Sequence, residues 1–124
     1  MVMQINEFSL ATNDGLKLYA KEWKPESKAK AVIVLVHGLG EHIGRYEHVA
    51  QWYTDANFIF RAFDLRGHGK SEGTRGHALS YDQLMKDIDT FIQMAHTAYP
   101  ELPVFLYGHS LGGALVLYFG ETCQ

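Results

Sequence analysis

A serine between glycines is the residue in this chain whose surroundings most clearly point to chemistry. It lies in GHSLG, residues 108–112, directly after the apolar run 104–107. A sharp turn from strand to helix raises such a hydroxyl above a sheet, and glycines two residues away on either side avoid a collision. The N–H groups at the start of the following helix can then stabilise an oxyanion. We therefore predict Ser110 as a nucleophile and the N–H of Leu111 as an oxyanion donor, supported by Gly108, His109 and Gly112.

A second glycine-containing loop, VHGLGEH, follows the apolar run 31–36. Gly38 lets the backbone approach the serine turn closely, so the N–H of Leu39 can point at the same oxyanion. His37 stands at the strand end, where we expect it to brace the loop by hydrogen bonds rather than act as a base. Both segments also have a purely structural interpretation: VHGLGEH as a tight strand–helix turn, and GHSLG as a strand–helix turn with a serine cap.

The elements that must position these loops alternate along the chain. AVIVLV, FIFRAF and VFLY are apolar enough for strands buried on both faces, and each is followed by a loop. Helical spacing of apolar residues runs from Ile43 to an end at Asn57. A second helix follows the capping box of residues 80–83 and stops at Tyr99-Pro100. Such alternation predicts a parallel sheet, with all three loops at the carboxyl edge of its strands.

The N-terminal quarter has a different pattern. Two segments of mixed and strict alternation flank Asn13-Asp14-Gly15, a strong turn signal, so they predict an antiparallel hairpin.

Composition excludes several classes of function. The 124 residues are 47% apolar and 20% charged with a net charge of −3, and they contain no basic stripe for nucleic acid. Cys123 is the one cysteine, so we expect no internal disulfide and no cysteine-rich metal site. We predict no cofactor and no metal, because the histidines have no zinc-binding spacing. The N-terminus lacks a signal-peptide pattern and the longest apolar run is too short to span a bilayer, so a cytoplasmic location is expected.

Three segments together resemble a known family. HGLGEHIGRY, FDLRGHGKSEG and YPELPVFLYGHSLGG are similar to the N-terminal half of an α/β-hydrolase, in particular the monoacylglycerol lipase and lysophospholipase group. The resemblance runs from about Phe8 to about Phe119. It implies an α/β fold class: a mostly parallel sheet with an N-terminal antiparallel hairpin and helices on both faces. Residues 1–124 would form a single partial domain that ends just after the helix following the serine, without the lid and C-terminal half.

The resemblance also implies roles for individual residues. Ser110 would be the nucleophile, and the N–H groups of Leu39 and Leu111 would form the oxyanion hole. The segment 64–69 would shape a loop beside the site, in which we interpret Asp64 and Arg66 as an ion pair or a turn lock.

A base for the serine is missing from the expected place. In this fold the chain order is Ser, then Asp or Glu, then His, yet Glu121 is the one acid after Ser110 and no histidine follows it. His109 should point away from the hydroxyl. His68 and His77 lie at the predicted edge, but their use would need an arrangement foreign to the family.

The raised serine and the resemblance together predict a serine hydrolase of carboxylic esters, and the resemblance implies a monoacylglycerol or lysophospholipid as substrate. The isolated chain is expected to be inactive, and a truncated gene product, an incomplete sequence and one segment of a split protein with a complementary C-terminal half as partner all stay open. Aminopeptidase, thioesterase and acyltransferase chemistry stay open on the same scaffold, as does a non-catalytic half that binds a partner.

Overall fold

Five strands form one mixed sheet in the computed structural model, which describes residues 3–37, 42–73 and 81–108. Their spatial order is β1-β2-β4-β3-β5. The first three pair antiparallel in that order, whereas β3 runs parallel to both β4 and β5. The strands are β1 (Gln4–Ala11), β2 (Lys17–Lys24), β3 (Val32–Val36), β4 (Ile59–Phe63) and β5 (Val104–Gly108).

The predicted N-terminal hairpin is confirmed. β1 and β2 pair along their whole length, from Gln4 opposite Lys24 to Ala11 opposite Lys17. At the turn, the N–H of Leu16 donates to Thr12 Oγ1 at 2.9 Å, and Gly15 adopts a φ of 91° that a side chain would disfavour.

Helices cover both faces of the sheet, as predicted. A 3₁₀ turn (Ile43–Tyr46) leads into α1 (Glu47–Asp55), and α2 (Tyr81–Ala98) follows β4. One face carries α1, where Ala50 contributes to a cluster with Ile33 and Phe60. On the opposite face, the α2 stripe of Leu84, Ile88, Phe91 and Ala95 packs against alternate residues of β3 and β4. Because both faces are covered, every residue of β3 and β4 is buried.

The helix ends agree with their sequence signals. Asn57 takes the left-handed conformation, φ 69°, just beyond α1, and Ala98 is the last residue of α2 before Tyr99-Pro100. The beginning of the first helix differs from the prediction, because its first turn from Ile43 is a 3₁₀ turn. Ser80 of the predicted capping box lies outside the described residues.

No helix in the part of the chain that the structure describes is both long and apolar enough to cross a membrane.

Candidate active site

The carboxyl ends of the three parallel strands meet at one edge of the sheet. Val36, the last residue of β3, pairs with Gly108 at the end of β5, and on its other side β3 pairs with β4. The strand order reverses at β3, since β4 lies on one side and β5 on the other. Ligands of open α/β sheets bind at such a reversal, outside the carboxyl ends of the strands. The strands that lead into the three predicted loops therefore end at the same edge of the sheet, as predicted.

The predicted site residues divide into two groups. His37 and Gly108 are described, and they stand at the ends of the neighbouring strands β3 and β5. The remaining residues lie outside the described ranges, so their roles stay predictions: Gly38, Leu39, His109, Ser110, Leu111 and Gly112.

His37 joins the ends of two strands. Its side chain is fully buried, and its Nε2 accepts a hydrogen bond of 2.9 Å from the N–H of Leu65, which follows β4. The imidazole of His68 lies against it, with 5.3 Å between ring centroids. Because the Nε2 lone pair is engaged by a backbone donor, this nitrogen is poorly suited to take a proton from a serine. The geometry fits a brace rather than a base.

Asp64 gathers backbone donors from two loops. Its side chain is buried, Oδ1 accepts from the N–H of Ile43 at 2.7 Å, and Oδ2 accepts from the N–H of Lys70 at 3.0 Å. Its main-chain oxygen accepts from the hydroxyl of Ser71, which in turn accepts from the N–H of Tyr19 on β2 at 2.8 Å. The side chain and the main-chain oxygen of Asp64 together therefore lock the turn 64–71, and the carboxylate also holds the start of the 3₁₀ turn.

Gly69 makes the position of that carboxylate possible. A Cβ built on Gly69 would lie 2.3 Å from Asp64 Oδ2, and the residue has a φ of +50°. Only glycine lets the backbone pass so close to the carboxylate in this conformation.

The predicted ion pair between Asp64 and Arg66 is wrong. Arg66 does not pair with Asp64: its guanidinium forms a bidentate pair with Asp87 on α2, at 2.7 and 3.0 Å, and a second with Asp14 in the hairpin turn, at 2.8 and 3.0 Å. These hydrogen bonds, first the one to Asp14, raise the pKa of Arg66, and the bond from Arg66 lowers the pKa of Asp14. Arg66 thus ties the loop to two distant elements, because both partners accept its fork of donors.

Sequence reasoning missed Asp87, although a signal was present. Asp87 is three residues after Leu84 and four before Phe91, so its position falls on the buried side of α2, where it is 1% exposed. A carboxylate at such a position needs a partner, and Arg66 supplies it.

Two cavities flank these elements. One of about 270 Å³ lies at the carboxyl edge, between β2, the 3₁₀ turn and the loop after β4, and Tyr19, His42 and Lys70 line it. A groove of about 560 Å³ runs along α2 beside Arg61, in the middle of the sheet, and is therefore away from the strand ends. Among the described side chains, no cluster of three or more histidines, cysteines and carboxylates could hold a metal ion.

Comparison with known proteins agrees with the fold described above. Residues 27–124 match the family described as serine aminopeptidase, S33, a hydrolase family. The chain is 38% identical to a monoacylglycerol lipase of Mycolicibacterium smegmatis, over 93% of the chain and 41% of the relative, and 40% identical to human monoglyceride lipase, over 87% of the chain and 36% of the relative. It thus spans less than half the length of these relatives.

A solved carboxyl esterase from Bacillus coagulans, in complex with glycerol, superimposes with a TM-score of 0.85 at 29% identity, over 98% of this chain and 41% of that one. The family match covers most of the sequence, and the sheet order, the helices on both faces and this superposition all agree with it. The chain therefore belongs to the S33 serine aminopeptidase family and has the N-terminal part of an α/β-hydrolase fold.

Proposed function

We propose that this protein is a serine hydrolase of carboxylic esters, with a monoacylglycerol or lysophospholipid as substrate. The observation that carries the proposal is the meeting of strand ends: β5 ends at Gly108, the first residue of GHSLG, beside the strand that His37 follows. Two monoacylglycerol lipases among the relatives, and an esterase fold solved with glycerol, support the substrate class.

The proposed reaction follows from the chemistry of a raised serine. The Ser110 hydroxyl attacks the ester carbonyl while a base takes its proton, and the N–H groups of Leu39 and Leu111 hold the oxyanion. Collapse of the tetrahedral intermediate breaks the acyl C–O bond and expels glycerol, or the glycerophosphodiester of a lysophospholipid, whose alcohol oxygen receives the proton. Water then hydrolyses the acyl-enzyme and releases the fatty acid.

We further propose that the base lies outside these 124 residues, on a complementary C-terminal half. No histidine follows Ser110, and Nε2 of His37 is engaged by the N–H of Leu65. The chain alone should then show negligible turnover, because an oxyanion hole without a base retains only a small part of the rate. The single cysteine suits a cytoplasmic location for this activity.

The decisive experiment compares Ser110→Ala with Ser9→Ala in the full-length gene product. We expect Ser110→Ala to reduce monoacylglycerol hydrolysis by about 10⁴-fold or more. Ser9 is exposed on β1, so its replacement should leave the rate unchanged. Full activity of Ser110→Ala would overturn the proposal, and Ser110-dependent turnover by the 124-residue chain alone would overturn the assignment of the base.

The leaving group is decided by a substrate panel. Monoacylglycerols, lysophospholipids, p-nitrophenyl esters, acyl thioesters and amino-acid anilides are compared by kcat/KM. We expect a glycerol or lysophospholipid ester to be preferred, whereas preference for the anilides would favour the aminopeptidase alternative, which the family description supports.

A further inference from the structure

The groove along α2 has a buried cation at its floor. Arg61, at the centre of β4, lines it together with residues of α2 between Asp89 and Ala98. Its volume of about 560 Å³ is within the range of sites that bind small molecules. Because the lining residues span nine steps of a helix, the wall that α2 contributes is about 14 Å long.

Arg61 is buried with fewer hydrogen bonds than its guanidinium can make. Its side chain is 8% exposed, and among the described residues neither Nε nor Nη1 finds a hydrogen-bond acceptor. Oε1 of Glu22 lies 3.0 Å from Nε, an ion-pair distance without hydrogen-bond geometry, while Oε2 accepts from the Tyr99 hydroxyl. The ring centroids of Phe8 and Phe91 lie 4.7 and 5.4 Å from the guanidinium carbon. Since buried donors are normally paired, this guanidinium has capacity for a further acceptor.

The charge of Arg61 is also only partly compensated. Burial lowers the pKa of the guanidinium, and the attraction of Glu22 offsets only part of this effect. A second negative charge beside the guanidinium would therefore stabilise it. Because no hydrogen bond holds Nε or Nη1, a small rotation of the guanidinium toward the groove breaks none.

The wall on α2 offers mainly apolar contacts. The hydroxyls of Thr90 and Thr97 each donate to a carbonyl oxygen of the preceding turn, at 2.9 Å, so their protons are used within the helix. Met94 is half-buried against the core, and Ala98 has no polar side-chain atom. A molecule in the groove therefore meets a strong donor at Arg61 and apolar groups along α2.

We propose that this groove binds an amphiphilic monocarboxylate, with the carboxylate at Arg61 and the apolar tail along α2. The planar guanidinium matches the two oxygens of a carboxylate, which an alcohol cannot offer. Asp89 lines the groove and repels an anion, but it is exposed, so water and salt weaken its effect more than that of the buried Arg61. The site is distinct from the carboxyl edge and needs no ester hydrolysis, so it goes beyond the function proposed above.

The test measures decanoate binding to the full-length gene product by calorimetry, with the Met94 methyl group observed by NMR. Ala98→Trp fills the groove from an exposed position, and His96→Trp is its matched control, because His96 is exposed on α2 but does not line the groove. Arg61→Met combined with Glu22→Gln removes the guanidinium without leaving a buried carboxylate unpaired. Acetate supplies the head without the tail, and 1-decanol supplies the tail without the head.

We expect decanoate to shift the Met94 methyl resonance and to bind at least about tenfold more tightly than acetate or 1-decanol. Ala98→Trp and the double variant should each raise the Kd of decanoate at least about tenfold, and His96→Trp should change it less than about twofold. Asp89→Asn should lower the Kd about two- to threefold at low salt.

An unchanged Met94 resonance, an equal affinity for 1-decanol, or wild-type binding by Ala98→Trp would overturn the inference and leave the proposed function standing. Decanoate bound at the carboxyl edge alone would give the first and third of these results. Ala98→Trp and Asp89→Asn keep the test decisive if the double variant does not fold.

Discussion

At the scale of single residues, the carboxyl edge depends on groups that bind backbone rather than other side chains. Asp64 and His37 each accept from main-chain N–H groups of distant segments. An acceptor lost from a buried N–H costs more than the net value of the bond, because the donor is left without water. The residues of this edge are therefore expected to be sensitive to small changes.

Gly69→Ala is expected to destabilise the fold by about 2–4 kcal/mol in free energy of unfolding, because a strained φ and a collision add together. The new Cβ would lie 2.3 Å from the Asp64 carboxylate. Gly15→Ala is the matched control, since Gly15 also has a positive φ, +91°, but nothing lies within 4 Å of its added Cβ. Urea unfolding measures both, and equal losses would show that the contact with Asp64 contributes nothing.

His37→Phe is expected to cost about 1–3 kcal/mol, because the N–H of Leu65 loses its acceptor inside the core. The control is His48→Phe at an exposed position of α1, where we expect a change within about 0.5 kcal/mol. Thermal and urea unfolding provide the comparison. An equally stable His37→Phe protein would argue against the brace.

The sequence predicted a bracing role for His37 but not its partner. A backbone N–H carries no signature in the amino-acid letters, so Leu65 could not be foreseen as the donor. The same holds for Asp64: the sequence indicated a locked turn, yet the contact with Ile43 joins residues 21 positions apart. The nucleophile and the oxyanion donors of the prediction lie outside the described residues, so they await experiment.

At the scale of elements, Arg66 connects the hairpin turn, the loop after β4 and α2. Its two partners, Asp14 and Asp87, are 52 and 21 residues away along the chain. Strand and helix positions follow from local periodicity, and the structure bears most of them out. Pairings across such distances, and the order in which β4, β3 and β5 lie, depend on how the elements pack, which local patterns do not encode.

The pairing of Asp14 with Arg66 is expected to make stability depend on pH in the acid range. The bond from Arg66 lowers the pKa of Asp14 below its ordinary value of 3.8, so the folded state favours the charged form. The stabilisation is fully present at pH values well above 3.8 and is lost as the pH falls through the lowered pKa. The stability difference between wild type and Asp14→Asn should therefore be constant near neutral pH and shrink below pH 4.

Urea unfolding at pH 7, 5, 3 and 2 measures this difference. The control is Asp89→Asn, a change at an exposed carboxylate of α2, for which we expect a small difference at every pH. A difference between wild type and Asp14→Asn that stays the same from pH 7 to pH 2 would contradict the pairing.

At the scale of the whole molecule, the sheet of the described residues has an outer strand beside the predicted site. In the described part of the chain β5 is an outer strand that pairs with β3 alone. Phe105 and Tyr107 pair with Ile33 and Leu35 of β3, which pack against α1, so all four lie on the face of the sheet that α1 covers. Phe105 is 54% exposed. Trp52 on α1 is 68% exposed beside Tyr53, whose ring lies 6.3 Å from that of Tyr107. Such an aromatic surface, next to the outer strand of the described sheet, suits the complementary half proposed above.

Phe105→Glu tests whether the chain associates through β5. The 124-residue chain is expected to self-associate through β5 in the absence of its complement, because exposed aromatic surface and the backbone groups of an outer strand favour pairing with another strand. A charge at Phe105 should raise the monomer fraction by light scattering. The control is Ile5→Glu on β1, an apolar residue 46% exposed on the opposite outer strand, which should not. A wild-type chain that stays monomeric at all concentrations would rule out association through β5. Equal changes in monomer fraction for the two variants would rule it out as well.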